Sequence, residues 1–256
     1  MTKNIVIKIP FNSRGANEVS FTKDWIERRL SIFMNYTLRS LEGQSSQDFL
    51  ALVLYNPISE DVVKTALTNY RPLPPNVKFI SSQKFHAEVM KNVQEREYLY
   101  EVHLESDDMY HRSYIELLQK HIPQRDSITL IPQYGYVYDS IQHRLGRFFF
   151  WAPSFGAVIY HTKDYLKGTR YRLELGWRGA LKLPHEFICV KTPIWINHVH
   201  SKNTGISFDK IMSWKIKTFT DACEIDPWND SEKSRAHFGP EMTDQNEITK
   251  VLGEFI

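Results

Sequence analysis

Residues 98–111 read YLYEVHLESDDMYH and form the most informative stretch of the chain. It begins as a run of aromatic and aliphatic residues and ends abruptly in Glu105-Ser106-Asp107-Asp108. The alternation predicts a strand that enters a sheet. Three acids in four residues repel one another and raise each other's pKa, so the cluster is easiest to rationalise with a cation in it. Mg²⁺ and Mn²⁺ prefer a few carboxylates, with water and phosphate oxygens completing the shell. The cluster therefore predicts a metal site for a phosphate-bearing substrate.

A second interpretation of the acidic cluster is structural. Asp is a good N-terminal helix cap, and a helix is predicted from about His111, so Asp107 or Asp108 could serve as that cap. A calcium loop of the EF-hand type is excluded, because Met109 and Tyr110 follow where further oxygen ligands and a glycine are required.

Composition describes an ordinary globular chain. Of the 256 residues, 42% are hydrophobic and the net charge is only +2, which argues against disorder and against a nucleic-acid partner. Charge is nevertheless uneven. Residues 140–182 carry eight Lys or Arg and two acids, whereas residues 224–256 carry eight acids and three bases. The basic segment could face a phosphate, a nucleotide or an anionic lipid surface, and the acidic segment is typical of a solvated tail or a cover.

Cysteine usage and hydropathy indicate a cytoplasmic protein. Cys189 and Cys223 form no CxxC pair, so no disulfide framework is predicted. The apolar run at residues 5–9 is too short for a signal peptide or a membrane span. Peripheral contact with the inner face of a membrane stays open.

Strand and helix patterns alternate through the first half. Thr22 can cap a helix whose apolar residues recur at 4-3-4-4 spacing from Ile26 to Leu41, with Gly43 as its stop. Strands are predicted at 4–11, 49–55, 77–80 and 98–104, with further helices at about 59–70, 85–96 and 111–121. This order predicts an α/β fold with a mostly parallel sheet flanked by helices. Ligands bind beyond the carboxyl ends of such strands, where the acidic cluster lies.

The second half has a different character. Residues 128–159 are rich in β-branched and aromatic residues with interspersed glycines, which predicts antiparallel strands and hairpins. Residues 173–199 mix short strands and loops, and helices are predicted at 207–222 and 243–255. The sequence has no clear linker, so one α/β domain with a mixed sheet is favoured.

Three stretches carry a family resemblance. They are WIERRLSIFMNYTLRSL at 25–41, LESDDMYH at 104–111 and WINHVHSKNTGIS at 195–207. Together they resemble the GT-A class of nucleotide-sugar glycosyltransferases and, more closely, a rhamnosyltransferase-like family of bacteria. The chain departs from the family pattern at Glu105, where the first acid is usually Asp.

The resemblance implies a GT-A-like, Rossmann-like catalytic domain over residues 1–222. Its nucleotide-sugar half would span about 1–110 and its acceptor half about 111–222, and residues 223–256 would form an acidic extension with a helix. The implied enzyme is metal-dependent and moves a sugar, with rhamnose a candidate, from a UDP-, dTDP- or GDP-sugar. The acceptor would be a glycan or glycolipid in surface polysaccharide synthesis.

The resemblance also assigns roles at the acidic signature. Asp107 would bind Mn²⁺ or Mg²⁺ directly, and Glu105 would contact the ribose, or the metal through water. Asp108 would support the metal site or cap the following helix. A late His often completes the metal shell in such enzymes; His200 is preferred here and His198 is the alternative.

Residues for the remaining tasks follow from position. An inverting transfer needs a base, for which Glu186 is the candidate and His185 the alternative, on a turn after Pro184. Pro10, Phe11 and Arg14 lie at the end of the first strand and, with Ser106, would contact the nucleotide. Three aromatic residues after the acidic signature would stack on acceptor sugars, or would simply belong to the core. They are Tyr134, Tyr136 and Trp151.

Two other functions fit parts of the sequence. A metal-dependent phosphoryl or nucleotidyl transferase would also place carboxylates at strand ends. The chain contains no GxxxxGK[ST] loop and no GxGxxG, which argues against P-loop and dinucleotide-binding chemistry. A carbohydrate-binding module would use the aromatic residues without catalysis.

Overall fold

The computed structural model describes residues 2–13, 17–124, 126–174, 176–188, 190, 192–201, 207–212 and 237–256. Arg14 and both cysteines lie outside these ranges. So does most of the helix predicted at 207–222, which is described only over Phe208–Met212. Within the described ranges, no helix has the length and apolarity needed to cross a bilayer.

The strands agree with the predicted α/β order and add several short ones. They are β1 Lys3–Pro10, β2 Leu50–Tyr55, β3 Val77–Ser81, β4 Tyr98–His103, β5 Met109–Tyr110, β6 Thr129–Pro132, β7 Tyr134–Asp139, β8 Arg144–Phe149, β9 Ala157–His161, β10 His185–Ile188, β11 Trp195–Val199 and β12 His237–Met242. The helices are α1 Lys23–Ile32, α2 Leu38–Glu42, α3 Glu60–Leu67, α4 Phe85–Asn92, α5 Tyr114–Lys120, α6 Thr162–Leu166, α7 Phe208–Met212 and α8 Gln245–Leu252. Short 3-10 turns lie at Glu18–Phe21, Pro57–Ser59, Ser82–Lys84 and Gly176–Lys182.

The main sheet has seven strands in the order β10-β6-β9-β4-β1-β2-β3. β4, β1, β2 and β3 are mutually parallel, and β9 is antiparallel to both of its neighbours. Apolar residues of β1 alternate between two core clusters, with Ile7 on the face that α1 covers and Val6 on the face that α4 covers. The predicted mixed, mostly parallel sheet flanked by helices, with antiparallel additions, is confirmed.

A second sheet of five strands, in the order β12-β8-β7-β11-β5, is formed by the later part of the chain. The sequence predicted antiparallel strands here but not a separate sheet. β5 follows directly after the acidic signature and pairs with β11, whose parallel neighbour is β7. The acidic signature therefore lies where the chain passes from one sheet to the other.

The first helical segment contains the predicted cap and one irregularity. Thr22 Oγ1 accepts a hydrogen bond from the Trp25 amide, 3.4 Å, as expected of an N-cap. Between α1 and α2 the helix widens into a π turn at Phe33–Thr37. Such turns add a residue within a helix and often occur near functional sites. Here the π turn carries Tyr36, whose ring lies 4.1 Å from that of His198.

The acidic C-terminal segment belongs to the fold rather than lying outside it. β12 pairs with β8, and α8 buries Ile248 and Leu252 in a cluster with Met109, Tyr136 and Ile196. The sequence predicted an acidic extension with a helix beyond residue 222, as a solvated tail or a cover; its described part pairs with the second sheet and covers one of its faces.

Candidate active site

The acidic signature turns sharply at the carboxyl end of β4. The Asp108 amide donates to the Glu105 carbonyl, 3.2 Å, and β5 follows at once. β4 is a central strand beside β1, so the turn opens at the edge where parallel strands present their carboxyl ends. Asp107 and Asp108 are buried, whereas the Glu105 side chain is 35% exposed. The three acids therefore lie in three different environments.

Asp107 is held by Arg29 from α1. The two terminal nitrogens of the guanidinium donate to the two carboxylate oxygens at 3.0 and 2.9 Å, and Arg29 Nε donates to Ser106 Oγ at 2.8 Å. Such a bidentate pair fixes both direction and charge. The Arg29 side chain is 19% exposed and that of Asp107 10%, so the ion pair is largely shielded from water.

His200 completes the surroundings of Asp107. Its Nε2 lies 3.1 Å from Asp107 Oδ2. Burial opposes the charged form of this carboxyl, but the Arg29 guanidinium and the His200 hydrogen bond outweigh it and hold the pKa of Asp107 below its usual value. Asp107 is therefore a stable anion with cationic and polar partners around it.

Asp108 faces the second sheet instead. Its Oδ1 accepts from the His198 amide at 2.9 Å, and the Asn197 amide nitrogen lies 3.4 Å from each of its oxygens. Burial, followed by the negative charge of Asp107, raises the pKa of Asp108 well above its usual value. Its contacts join the acidic turn to β11 and do not cap a helix, because α5 begins at Tyr114 after Ser113.

His198 is buried and has a partner at each ring nitrogen. Nδ1 lies 3.1 Å from the Asp107 carbonyl and therefore donates, which leaves Nε2 to accept from Ser140 Oγ at 2.7 Å. The rings of Tyr36 and Tyr138 flank it. Burial, with the neighbouring His200, lowers the pKa of His198 to about 4, so the ring is neutral at pH 7. Its metal-binding role stays a prediction, and its contacts are those of a positioning residue.

Glu105 is the accessible acid of the three. His103 Nε2, from the end of β4, lies 2.8 Å from Glu105 Oε1, and the His103 ring lies 5.7 Å from that of Trp177. The His103 carbonyl accepts from the hydroxyl of the buried Tyr110, which fixes the backbone just before the turn. A carboxylate that is anchored and half open to solvent can accept a hydrogen bond from a ligand hydroxyl.

The carboxylates as they lie do not fit the divalent cation predicted from the sequence. Both oxygens of Asp107 are taken by Arg29, and those of Asp108 by backbone and amide N–H groups. A metal bound between Asp107 Oδ2 and His200 Nε2 would lie beside the guanidinium and would have to displace it. Among the described residues, no three His, Cys, Asp or Glu side chains are grouped so that they could share one ion. Mn²⁺ or Mg²⁺ binding stays an untested prediction.

The residues predicted to contact the nucleotide are only partly at the site. Ser106 is, through Arg29. Pro10 and Phe11 are buried at the end of β1, and Phe11 packs edge-to-face on Trp25 and Phe79 at 5.8 and 5.5 Å. Phe11 is thus core, and its partner Trp25 is the more open ring. Arg14 lies outside the described residues.

The predicted base is not brought to the acidic signature. Glu186 lies in register with Leu130, Leu130 with Ala157, and Ala157 with Val102. Glu186 is therefore three strands away from β4, or roughly 14 Å at the usual strand spacing. It contacts His121 Nε2 at 3.3 Å and accepts from the Gln124 amide at 2.9 Å. His185, beside it, contacts the Leu183 carbonyl at 2.9 Å.

The predicted acceptor residues separate into core and surface. Tyr134 and Tyr136 alternate along β7 as expected, but both are buried, and Tyr136 packs on Phe255 beyond α8 at 6.1 Å between ring centroids. Trp151 is half-buried, and the Arg178 guanidinium lies 5.5 Å from its ring centroid. Of the three, only Trp151 presents a surface that a sugar could reach.

Arg29 is the main site residue that the sequence did not single out, beside Tyr36 and Asn197. A signal existed. Arg29 lies between the core residues Ile26 and Leu30, at the edge of the apolar stripe, one turn after Trp25. A charged residue at that edge of a helix that follows β1 can reach the carboxyl ends of the strands.

Comparisons with solved structures find only distant similarities. No curated protein matches the chain significantly. One similar solved structure is S. aureus TarS 1-349 in complex with UDP-GlcNAc, which is 13% identical with a TM-score of 0.43. The match covers 78% of this chain and 60% of the TarS chain. A second is the glycosyltransferase GlyE of Streptococcus pneumoniae TIGR4, at 11% identity and a TM-score of 0.36, with 100% of this chain and 65% of GlyE covered. A third is the 4-diphosphocytidyl-2C-methyl-D-erythritol synthase of Anaerococcus prevotii, at 12% identity and a TM-score of 0.36, with 82% of this chain and 94% of the synthase covered. The chain spans about 60% of the TarS fragment, and none of these similarities is close enough to transfer an activity.

A family profile gives the more specific result. The profile described as "Putative rhamnosyl transferase" matches residues 13–146, slightly more than half of the chain. The matched range includes α1 with Arg29, the whole acidic signature and strands β2 to β7, but not β1. This chain therefore belongs to the rhamnosyl transferase family that the profile describes.

Proposed function

We propose that the chain is a glycosyltransferase that moves a sugar from a nucleotide-sugar donor to a glycan or glycolipid acceptor. Family membership supports the class of reaction, and rhamnose is the sugar that the family description suggests. One observation carries the proposal. Four residues from three separate segments, Arg29, Ser106 with Asp107, and His200, converge at the carboxyl end of a central parallel strand, where such sheets bind ligands.

The donor would lie across this cluster, with its diphosphate next to Arg29 and His200. Nucleotide-sugar transfer breaks the bond between the sugar and the diphosphate, and negative charge grows on the departing phosphate oxygen. Cationic and N–H groups fixed at that position stabilise this charge without having to reorganise. Glu105, accessible and anchored by His103, would accept from a ribose hydroxyl. UDP-, dTDP- and GDP-sugars are the donors to test.

The acceptor would approach from the side of Trp151 and Trp177. Both rings are half-buried, and Trp177 lies near the His103–Glu105 pair. The basic segment 140–182 contributes the exposed Arg178 near Trp151, a suitable partner for the phosphate of a lipid-linked acceptor. In this proposal the enzyme works in the cytoplasm in surface polysaccharide synthesis, with glycolipid acceptors reached at the inner face of the membrane.

The test is a thermal-shift panel of UDP, dTDP, GDP and their sugars, each with EDTA and with Mn²⁺. We expect one nucleotide to raise the melting temperature by several degrees, because a ligand that binds only the folded state stabilises it. The matching nucleotide sugar should then release its nucleoside diphosphate when acceptor is added. Asp107→Asn should abolish both effects, whereas Asp126→Asn, which changes an exposed loop acid, should preserve them.

Two results would replace this function with another. Stabilisation by free glycans but by no nucleotide would indicate a carbohydrate-binding module. Release of pyrophosphate from a nucleoside triphosphate and a sugar phosphate would indicate a nucleotidyl transferase. The inverting outcome stays a prediction, and the anomeric configuration of the product, read by NMR, tests it.

A further inference from the structure

We propose that Arg29 takes the place beside Asp107 that a divalent cation would hold, so that the chain binds the donor diphosphate through a guanidinium and not through a metal ion. This inference rests on the proposed function and deepens it, because it names the group that meets the phosphates. It concerns a residue that neither the sequence pattern nor the family description assigns.

The geometry of Arg29 leaves donors for a ligand. A guanidinium has five N–H groups in one plane. Two bind the Asp107 oxygens and a third, on Nε, binds Ser106 Oγ. One outward-pointing N–H on each terminal nitrogen remains, and each of the two can donate to a different oxygen of a diphosphate. Asp107 and Ser106 thus hold the plane of the guanidinium in a fixed orientation before any ligand arrives.

The charge balance of the cluster supports the same conclusion. Three adjacent acids without counter-charge would require a cation. Here Arg29 neutralises Asp107, Asp108 accepts from N–H groups of β11, and Glu105 is partly exposed to solvent and shares a hydrogen bond with His103. The acidic signature therefore needs no further positive charge to be stable in the folded protein. A divalent cation would add charge next to a guanidinium that is only 19% exposed.

Shape complements the charge. Trp25, one turn before Arg29 on α1, has its ring centroid 6.0 Å from the Arg29 guanidinium carbon. The half-buried indole limits the directions that the Arg29 side chain can take. A lysine could supply the charge but neither the bidentate contact with Asp107 nor the simultaneous contact with Ser106. The site therefore requires arginine specifically.

The experiment measures binding of UDP, dTDP and GDP by calorimetry, with EDTA and then with Mn²⁺. In the unmodified chain, the nucleotide that binds should bind equally well in both conditions. Arg29→Ala should weaken its binding in EDTA at least tenfold. In that variant Mn²⁺ should restore binding, because the freed Asp107 and the adjacent His200 can then hold a cation. In EDTA, Arg29→Lys should bind the nucleotide more weakly than the unmodified chain and more tightly than Arg29→Ala.

The matched control is Arg28→Ala, since Arg28 is the neighbouring, exposed arginine of the same helix. It should bind nucleotide as the unmodified chain does. If Arg29→Ala fails to fold because Asp107 is left buried and unpaired, the double variant Arg29→Met with Asp107→Asn removes both charges. It should fold and should bind nucleotide in neither condition, because it lacks both the guanidinium and the carboxylate.

The outcomes separate this inference from the proposed function. Nucleotide binding by the unmodified chain only with Mn²⁺ would overturn the role of Arg29 and leave the proposed function standing. Undiminished binding by Arg29→Ala or by the double variant in EDTA would also overturn it. Absence of nucleotide binding in every condition would instead contradict the proposed function itself.

Discussion

Asp107 and Asp108 are neighbours in the chain but lie in opposite electrostatic surroundings. Asp107 points toward the guanidinium of Arg29, and Asp108 points into the second sheet toward the His198 amide. The two pKa values move apart for this reason, down for Asp107 and up for Asp108. Adjacent residues of a turn can differ this much because their side chains leave the backbone in different directions.

We expect Asp107→Asn and Asp108→Asn to differ in stability. Asp107→Asn removes the counter-charge of a largely buried arginine and should lower the free energy of unfolding by about 3 kcal/mol. Asp108→Asn should cost nothing and could gain up to about 1 kcal/mol. The reason is that Asn197 Oδ1 is buried without a hydrogen-bond partner. When the side-chain amide of Asn197 rotates by half a turn, this oxygen can accept from the new amide group at position 108.

Urea unfolding of the two variants in parallel measures both values, and each variant is the control for the other. Equal losses would show that the two carboxylates share one environment, and would contradict the separate roles argued from their contacts.

The second sheet is closed by a tight contact between β7 and β11. Gly135 lies against Trp195, and a Cβ placed on Gly135 would be 2.1 Å from the indole. Trp195 cannot move away easily, because it is fully buried, stacks on Phe155 at 4.4 Å and donates to the Pro132 carbonyl at 2.7 Å. Glycine is therefore required for space at this point of β7.

Gly135→Ala should accordingly lower the free energy of unfolding by at least about 3 kcal/mol, through overpacking. Gly253→Ala is the matched control, because a Cβ there meets only ordinary contacts at 3.4 Å or more. Chemical denaturation of both variants gives the comparison. A Gly135→Ala protein as stable as the unmodified one would mean that β7 and β11 separate easily.

Helix α8 contributes to the core, although it lies in the acidic segment. Ile248 is fully buried against the second sheet, whereas Lys250 points outward. We expect Ile248→Ala to cost about 2 to 4 kcal/mol. Lys250→Ala should stay within about 0.5 kcal/mol, as is usual for exposed positions. Similar small effects from both would indicate that the segment is a solvated tail, which is one of the two alternatives that its charge left open.

Buried histidines make the stability of the whole molecule depend on pH. Among the described residues, burial lowers the pKa of three buried or half-buried histidines: His111, His121 and His198. When the pKa of a histidine is lower in the folded state than in the unfolded state, the unfolded chain binds more protons at every pH between these two pKa values. The stabilisation is thus fully present above about pH 6.5 and is lost as pH falls through the folded pKa. For His198, with a pKa of about 4, the loss amounts to about 3 kcal/mol.

We therefore expect the free energy of unfolding to fall between pH 6.5 and pH 4. The raised pKa of Asp108, caused by burial and by Asp107, acts in the opposite direction from about pH 4 upward. Urea unfolding is therefore best measured in the Asp108→Asn background, which removes that contribution. Adding His198→Gln should then make the dependence on pH visibly shallower. An unchanged slope would show that His198 is not the buried neutral group described here.

Local sequence patterns were enough to predict the first helix, strands β1 to β4 and the position of the acidic signature at the carboxyl end of β4. Apolar spacing and the Thr22 cap predicted the first helix, the short apolar runs predicted β1 to β4, and the alternation of elements placed Asp107 at a carboxyl edge. These signals are local, because periodicity and capping depend on residues within a few positions of one another. They persist whatever the rest of the chain does.

Only the tertiary structure decided what each side chain meets. Arg29 and His200, 78 and 93 residues from Asp107, form its surroundings, and α8 covers Tyr136 of β7 so that it becomes core. Glu186 lies three strands from the site because the order of strands in a sheet does not follow their order in the chain. Such partners depend on how sheets and helices pack over long separations, which short-range sequence patterns do not encode.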